Sequence, residues 1–247
     1  MTVDDAERRR RYLDALGIEV WVRRDRPPVD AAPEPALPGA AAAPAAPGVV
    51  SSPPPGRAAA NPEAWDALAR EVAACERCPL HEGRLNTVFG VGNQQADWLV
   101  IGEAPGAEED KRGEPFVGRA GQLLNAMLAA IGLARETVYI ANILKCRPPG
   151  NRDPRPEEVA ACSPYLARQI EYLAPRIILA VGRIAAQNLL AVTTPIGRLR
   201  GEVHELGPAR IPLIVTYHPA YLLRSPAEKR KAWADLLLAR RVREGRT

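Results

Sequence analysis

Four short apolar runs, each separated from the next by a helical pattern, limit this chain to a small set of folds. The runs are residues 98–101, 138–143, 177–181 and 213–217. Their nearly continuous apolar character is typical of strands that are covered on both faces. Strands that alternate with helices form parallel sheets. The pattern predicts an α/β fold: a three-layer α/β/α sandwich with a central four-stranded parallel sheet.

The helices between these runs are indicated by capping residues and by apolar periodicity. The first begins at Asn61-Pro62-Glu63, where an N-cap side chain precedes a first-turn proline and an early acid. Further helices are predicted near residues 123–131, over 154–173 and 184–190, and through 233–238. Helices in these places would cover both faces of the sheet.

The chain before this pattern is different in composition. Between residues 27 and 60 it has ten prolines and twelve alanines, which bury too little surface to repay the entropy of ordering. We therefore predict a short charged N-terminal segment (1–26), a disordered Pro/Ala-rich linker (27–60) and one folded domain (61–247). Every candidate site residue lies in that domain, so we expect the first sixty residues to be dispensable for chemistry.

Charge and targeting signals give weaker constraints. The chain has 33 basic and 29 acidic side chains, a formal charge of +4, which suits a nucleic-acid partner without requiring one. The N-terminus lacks the apolar segment of a secretory signal, and no apolar run is long enough to span a bilayer. We expect a cytoplasmic protein with no membrane partner, in which thiols stay reduced.

Four cysteines have a spacing that suits metal chemistry. Cys75 and Cys78 form a C-x-x-C pair, whereas Cys146 and Cys162 are isolated. Zinc sites usually pair two short knuckles, and one close pair with two isolated cysteines is more typical of an iron–sulfur cluster. Cys162 also lies on an apolar helix face, where an unliganded buried cysteine would be ordinary. Spacing favours a cluster but leaves zinc and a core cysteine open.

Polar sequence follows three of the four predicted strands, at the sheet edge where α/β proteins place their sites. The first strand continues into Gly102-Glu103-Ala104-Pro105-Gly106, a turn that can aim N–H groups at a ligand. The second ends at Asn142, whose amide has one donor and one acceptor side, and the fourth is followed by His218. Phe116, in a loop between glycines, can stack on a flat ligand. An ordinary turn, a strand-end cap, a structural histidine and a core aromatic are the plain alternatives.

Taken together, these motifs make the chain similar to the family 4 uracil-DNA glycosylases, the iron–sulfur branch of the uracil-DNA glycosylase superfamily. The resemblance rests on residues 102–106, 115–121, 142–151 and 218–220 and on the cysteine spacing, and it covers about residues 61–240. It implies a structural 4Fe–4S cluster, bound by all four cysteines. It also implies hydrolysis of uracil from single- or double-stranded DNA, by a protein that we expect to be a monomer.

The resemblance also implies roles for Phe116 and for the residues at the strand ends. Phe116 would stack on a uracil flipped out of the DNA, and Asn142 would read its O4 and N3–H. The backbone at Glu103 and Ala104 would face uracil O2 and the attacking water. His218 would stabilise the negative charge that develops on O2.

Ala104 stands where other branches of the superfamily carry a catalytic aspartate. The resemblance therefore points to Glu109 and Asn151 as contributors to water activation, and to Glu103 as the group that crowds a thymine methyl. A covalent uracil-trapping branch is marked by a histidine-containing loop after the second strand. Residues 145–152 contain no histidine, so we expect ordinary turnover.

The segment after His218 is expected to contact DNA. Tyr221 and Leu222 would fill the place of the flipped base, and Arg224 would bind a phosphate. An alternative is a non-catalytic iron–sulfur module that binds damaged DNA, or an electron carrier. An electron carrier would not need the aromatic, amide and imidazole groups at converging strand ends, and a binder without activity would be expected to have lost one of them.

Overall fold

The computed structural model describes residue 13 and residues 62–245. The predicted linker lies outside the described residues, as does the N-terminal segment apart from Leu13. Leu13 is 8% exposed and belongs to an apolar cluster that includes Trp98 and Val100. At least this side chain of the N-terminal segment is therefore part of the core.

The described residues form helices and strands in the predicted alternation. The strands are β1 (Val91–Gly92), β2 (Trp98–Gly102), β3 (Tyr139–Asn142), β4 (Ile177–Val181), β5 (Val203–Leu206) and β6 (Ile211–Thr216). The helices are α1 (Pro62–Ala73), α2 (Ala107–Arg112), α3 (Arg119–Ala130), α4 (Pro156–Leu173), α5 (Arg183–Leu190), α6 (Ile196–Leu199), α7 (Pro219–Arg224) and α8 (Lys229–Arg243). Short 3₁₀ turns lie at Pro79–His81, Arg135–Thr137, Pro149–Asn151 and Pro226–Glu228.

The sheet has six strands in the order β1-β3-β2-β4-β6-β5, so the expectation of a four-stranded parallel sheet is wrong. The pairs β3-β2, β2-β4 and β4-β6 are parallel, and β1 and β5 join the two edges antiparallel. Neither edge strand has an apolar run, since β1 is two residues long and β5 alternates exposed with half-buried side chains. Half-exposed edge strands lack the pattern that marks buried parallel ones.

Helices cover both faces of the sheet and give three layers. On one face α3, α7 and α8 pack on alternate strand residues such as Val100, Leu179 and Ile214. On the other face α1, α4, α5 and α6 pack on the residues between them, such as Leu99 and Ile178. Each residue of β2 and β4 is buried, which explains their continuous apolar sequence.

Beside the second face lies a smaller cluster that includes two of the four cysteines. Leu68 and Val72 of α1 and Leu144 after β3 pack there with Cys146 and Cys162. The segments around the cysteines are therefore connected by apolar contacts. None of the helices in residues 62–245 has the length and apolar character of a membrane span.

A buried ion pair fixes α8 against the sheet. Asp235 of α8 is fully buried and accepts hydrogen bonds from Arg200 Nη2 at 2.8 Å and Thr216 Oγ1 at 2.9 Å. Burial raises the pKa of the Asp235 carboxyl, while the hydrogen bonds from Thr216 and Arg200 oppose that shift. The pair is therefore satisfied but costly to separate.

We predict that Asp235→Ala lowers the free energy of unfolding by about 3–5 kcal/mol, because Arg200 is left as an unpaired, mostly buried cation. Glu205→Ala is the matched control, since it breaks the exposed Glu205–Arg210 pair and should cost about 0–1 kcal/mol. Urea unfolding of both variants measures the difference. Equal losses would contradict a special role for the buried pair.

Candidate active site

A large concavity opens at the carboxyl ends of the parallel strands. It has a volume of about 770 Å³. Residues that follow β2, β3, β4 and β6 line it. At this point β2 lies between β3 and β4, so the connections to these two strands run to opposite sides of β2. In open α/β sheets such a switch point is the usual ligand site. The predicted site residues in its wall are Glu103, Ala104, Glu109, Phe116, Asn142, Asn151, His218, Tyr221 and Arg224.

Asn142 forms part of the pocket floor with an oxygen that has no partner. Asn142 is 2% exposed, and its Oδ1 accepts no hydrogen bond from the described part of the chain. Buried amide oxygens are normally satisfied, so an unpaired one in a pocket wall favours a ligand that donates there.

Gly102 makes room for the two groups of the floor. It pairs in register with Asn142 across the parallel strands β2 and β3. A Cβ at this position would lie 2.4 Å from Asn142 Oδ1 and 2.6 Å from Phe116 Cζ. A side chain at position 102 would displace the amide and the ring, so this glycine is required by close approach and not by its φ angle.

Phe116 is held in an unusual backbone conformation. Its φ is +55°, which is rare for a side chain of this size. Arg135 fixes the loop by donating to the carbonyl oxygens of Pro115 at 2.5 Å and Phe116 at 3.3 Å. The Phe116 ring stacks with that of His218 at a centroid distance of 5.7 Å and an interplanar angle of 29°. The aromatic wall is therefore positioned before any ligand binds.

Glu109 connects the two loops that carry these groups. Its carboxylate accepts from the backbone N–H of Gly106 at 3.1 Å, Val117 at 3.0 Å and Gly118 at 3.3 Å. These bonds join the turn after β2 to the loop of Phe116. These contacts make Glu109 a positioning residue. Its expected contribution to water activation stays a prediction.

His218 presents one defined nitrogen to the pocket. Its Nδ1 accepts a hydrogen bond from the Ala220 N–H at 3.1 Å, so the proton of the neutral ring is on Nε2. Burial lowers the pKa of His218 to about 4, the Arg224 cation acts in the same direction, and Glu109 opposes them. At neutral pH the ring is an uncharged N–H donor.

Glu103 is the pocket carboxyl that titrates near neutrality. Burial raises its pKa to about 7, Asp153 adds to this, and Arg183 opposes it. Asp153 itself pairs with Arg183 at 2.6 Å on the pocket wall. A carboxyl with this pKa can exchange protons at physiological pH.

Asn151 lies on the rim in a left-handed conformation, with a φ of +54°. Its Oδ1 accepts from Arg147 Nε at 2.7 Å, which leaves the amide nitrogen to interact with a ligand. The arrangement gives Asn151 a fixed direction, and its catalytic role stays a prediction.

The segment expected to contact DNA is α7, and its burial corrects one residue. Leu222 is 1% exposed and packs in the core, so it is not placed to fill an emptied base stack. Its neighbours Tyr221 and Leu223 are 37% and 43% exposed. Helical periodicity, which alternates buried and exposed sides, is the reason that adjacent residues differ here.

The four cysteines line one cavity, and none is in a disulfide. Three of the sulfurs accept N–H groups: Cys75 from Arg77 N at 3.5 Å, Cys146 from Arg84 Nη1 at 3.3 Å, and Cys162 from Lys145 N at 3.3 Å. Such donors suit thiolates. No set of three or more His, Cys, Asp or Glu side chains in residues 62–245 is arranged to hold a single metal ion.

Sequence reasoning missed the contribution of β4 to the pocket. Gly182 and Arg183 follow this strand and line the wall with Asp153 and Tyr217. Gly182 has a φ of +102°, and a Cβ there would lie 3.0 Å from the Cβ of His218. A glycine directly after a buried strand was the signal that could have revealed it.

Comparison with known proteins agrees with this geometry. A family model described as the uracil DNA glycosylase superfamily matches residues 89–237. A type-4 uracil-DNA glycosylase of Archaeoglobus fulgidus is 49% identical over 179 residues, covering 70% of this chain and 90% of the relative. The chain belongs to the type-4 branch of the uracil-DNA glycosylase superfamily.

Two further relatives place the chain within that superfamily. A type-4 uracil-DNA glycosylase of Thermotoga maritima is 46% identical over 66% of this chain and 85% of the relative. A type-5 uracil-DNA glycosylase of Pyrobaculum aerophilum is 30% identical over 65% of this chain and 85% of the relative. The lower identity to a type-5 enzyme agrees with the type-4 assignment that the cysteine spacing and the pocket motifs indicated.

We predict that His218 stays neutral above about pH 5, with its proton on Nε2. Because its folded pKa of about 4 lies below the unfolded value of about 6.5, protonation favours the unfolded chain. Its contribution to stability is full above about pH 6.5 and is lost as the pH falls toward 4. Nitrogen-15 NMR of the imidazoles measures the tautomer and the pKa.

His218→Gln should remove this part of the pH dependence of stability, and His204→Gln, outside the pocket, serves as the matched control. A histidine signal that titrates near pH 6.5 and disappears in His218→Gln would contradict the prediction.

Proposed function

We propose that this protein excises uracil from DNA by hydrolysing the N-glycosidic bond, which releases free uracil and leaves an abasic site. The observation that carries the proposal is the buried, unpaired Oδ1 of Asn142 beside the Phe116 ring and the His218 N–H donor. These groups suit a flat ring with a donor edge and a developing oxyanion. The type-4 and type-5 relatives, named as uracil-DNA glycosylases, support the same activity.

Selection of uracil follows from the amide of Asn142. Its oxygen accepts the N3–H of uracil, and its nitrogen donates to O4. Cytosine has an acceptor at N3 and a donor at C4, so it would oppose both groups and leave the buried amide unpaired. Thymine differs only by a methyl group, and we assign its exclusion to the Glu103 side of the pocket.

Bond cleavage depends on charge that develops on the departing base. As the glycosidic bond lengthens, negative charge accumulates on uracil O2. The His218 Nε2–H, which is fixed by the Ala220 bond to Nδ1, stabilises this charge as a hydrogen-bond donor without transferring its proton. A neutral donor suits this task because a uracil anion is a weak base that need not be protonated to leave.

Water activation is assigned to the polar groups on the other side of the sugar. Ala104 supplies no carboxylate, and Glu103, with a pKa of about 7, is ionised in part at neutral pH. Glu103 accepts a hydrogen bond from the water, and Asn151 orients it with its amide nitrogen. Glu109 supports them by holding the turn after β2 to the loop of Phe116.

The DNA is bound at the rim of the pocket. Arg224 lines the opening and contacts a phosphate, and the exposed Tyr221 occupies the place that the flipped base leaves. Either a single or a double strand can supply the extruded nucleotide. We assign this activity to the domain from about residue 61 onward, acting as a monomer, with residues 27–60 as a linker and residues 1–26 as an accessory segment that contributes Leu13 to the core. A cytoplasmic location stays a prediction.

The four cysteines fit a 4Fe–4S cluster. They line a single cavity, they are not oxidised to disulfides, and three of the sulfurs accept N–H groups that favour thiolates. Cys75, Cys78, Cys146 and Cys162 would hold the cluster, which would connect the segments around residues 75–78, 146 and 162. Its role would be structural, with no part in glycosidic cleavage.

The activity is tested by incubating the protein with uracil-containing single- and double-stranded DNA and measuring abasic sites. We predict that His218→Ala lowers the single-turnover cleavage rate about 10²–10³-fold, with a smaller effect on DNA binding. His204→Ala, which removes a histidine outside the pocket, should cleave at the wild-type rate. If the wild-type protein formed no abasic sites, it would be a DNA-binding module without glycosylase activity. An unchanged cleavage rate in His218→Ala would refute the role of His218 in stabilising charge on uracil O2.

We predict that the purified protein is brown and has about four irons per chain. Metal analysis and the absorption spectrum measure this directly. Replacing all four cysteines with serine should abolish both the colour and the iron. A colourless protein with one zinc per chain and full cleavage activity would contradict the cluster.

A further inference from the structure

A buried lysine lies between the pocket floor and the cysteine cavity, and no step of the proposed mechanism uses it. Lys145 is 1% exposed and immediately precedes Cys146. Its Nζ donates to the backbone oxygen of Asn142 at 3.0 Å and to Gln169 Oε1 at 2.6 Å. Fully buried lysines are rare unless their charge is compensated.

Both acceptors of the ammonium are neutral. Gln169 is fully buried on α4, and its Nε2 donates to the Phe89 carbonyl at 3.0 Å, so its oxygen is aimed at Lys145. Within residues 62–245 no carboxylate forms an ion pair with Lys145. Two neutral oxygens accept two of the three N–H groups of the ammonium and leave its charge uncompensated.

The negative charge nearest to Lys145 comes from the cysteine site. The backbone N–H of Lys145 donates to Cys162 Sγ at 3.3 Å, and the side chain interacts electrostatically with the same sulfur. Four thiolates around a 4Fe–4S cluster have an excess of negative charge in either common oxidation state. A buried cation next to them is compensated when the cluster is bound.

The same lysine also fixes the residue that reads the base. Its bond to the Asn142 carbonyl closes the turn from the end of β3 to Cys146, while Asn142 itself faces the pocket. Gln169 and Cys162 lie seven positions apart on α4, which is two turns along one helical face. The side-chain acceptor of Lys145 and the sulfur nearest to it therefore belong to one rigid element.

We propose that Lys145 is a positioning residue, which serves as the buried counter-charge of the cluster and fixes Asn142, so that cluster binding and uracil recognition are coupled. The proposal rests on the uracil-excising function and on the 4Fe–4S assignment. Asn142, which reads the base, and Cys146, which binds the cluster, lie on one short segment. Lys145, which lies outside the pocket, would connect their two functions. Coupling of this kind is reciprocal: uracil in the pocket favours the bound cluster.

The charge is tested by the midpoint potential of the cluster, measured in a redox titration followed by EPR. Lys145→Met removes the cation and Gln169→Glu offsets it with an isosteric carboxylate, so both should shift the potential to more negative values. Lys111→Met is the matched control: it removes the same unit charge from an exposed lysine and should leave the potential unchanged. Unchanged potentials in Gln169→Glu and in any folded Lys145→Met protein would overturn the counter-charge role.

The coupling is tested by the rate at which a chelator removes iron. Loss should be about 10–100-fold faster in Lys145→Met than in the wild type, as for other groups that support metal ligands. An oligonucleotide with 2′-fluoro-2′-deoxyuridine, whose fluorine slows cleavage, should protect the wild-type cluster more than the matched thymidine oligonucleotide does. Gln169→Leu, which keeps the charge but releases one bond of the ammonium, should lose most of this difference.

The outcomes separate the two proposals. Equal protection by the two oligonucleotides in wild-type protein that still cleaves uracil-containing DNA would overturn the coupling and leave the function intact. Wild-type protein that forms no abasic sites would overturn the function, whatever the potentials of the variants. A normal difference in protection in Gln169→Leu would show that Lys145 does not transmit the effect.

Discussion

The site depends on the close approach of two parallel strands at the point where both end. Gly102 and Asn142 are paired across β2 and β3, and the missing side chain of the glycine leaves the space that the amide and the Phe116 ring occupy. A methyl group at that position would overlap both of them. Hydrogen bonding within the sheet thus determines where the Asn142 amide lies, and the surrounding loops need only approach it.

The loops reach that position by bonds that use ordinary carboxylates and guanidinium groups. Glu109 holds the turn after β2 to the loop of Phe116 through three backbone N–H groups, and Arg135 holds the same loop through two carbonyls. These contacts compensate for the left-handed backbone of Phe116. The pocket is therefore organised before substrate binds, which is the condition under which fixed dipoles stabilise a transition state most effectively.

Much of this could be predicted from sequence, and the failures have physical causes. Buried strands such as β2 and β4 are apolar throughout, so they were visible as runs, and the polar residues at their ends were predicted to meet. The edge strands β1 and β5 have one side exposed or are too short to show a pattern. Leu222 was misassigned because burial within one turn of α7 depends on how that helix packs on α3, which no local pattern specifies.

The relation between the pocket and the cysteines shows a further limit of sequence reasoning. Asn142 and Cys146 are four residues apart, a spacing that the sequence displays but does not explain. In the structure the buried side chain of Lys145 donates to the Asn142 carbonyl and to Gln169, and Lys145 lines the cysteine cavity. Burial of an ammonium without a charged partner is unfavourable, so negative charge near this segment would stabilise it. Lys145 therefore relates the end of β3 to the cysteines through one bond to the Asn142 carbonyl and one electrostatic interaction with Cys162.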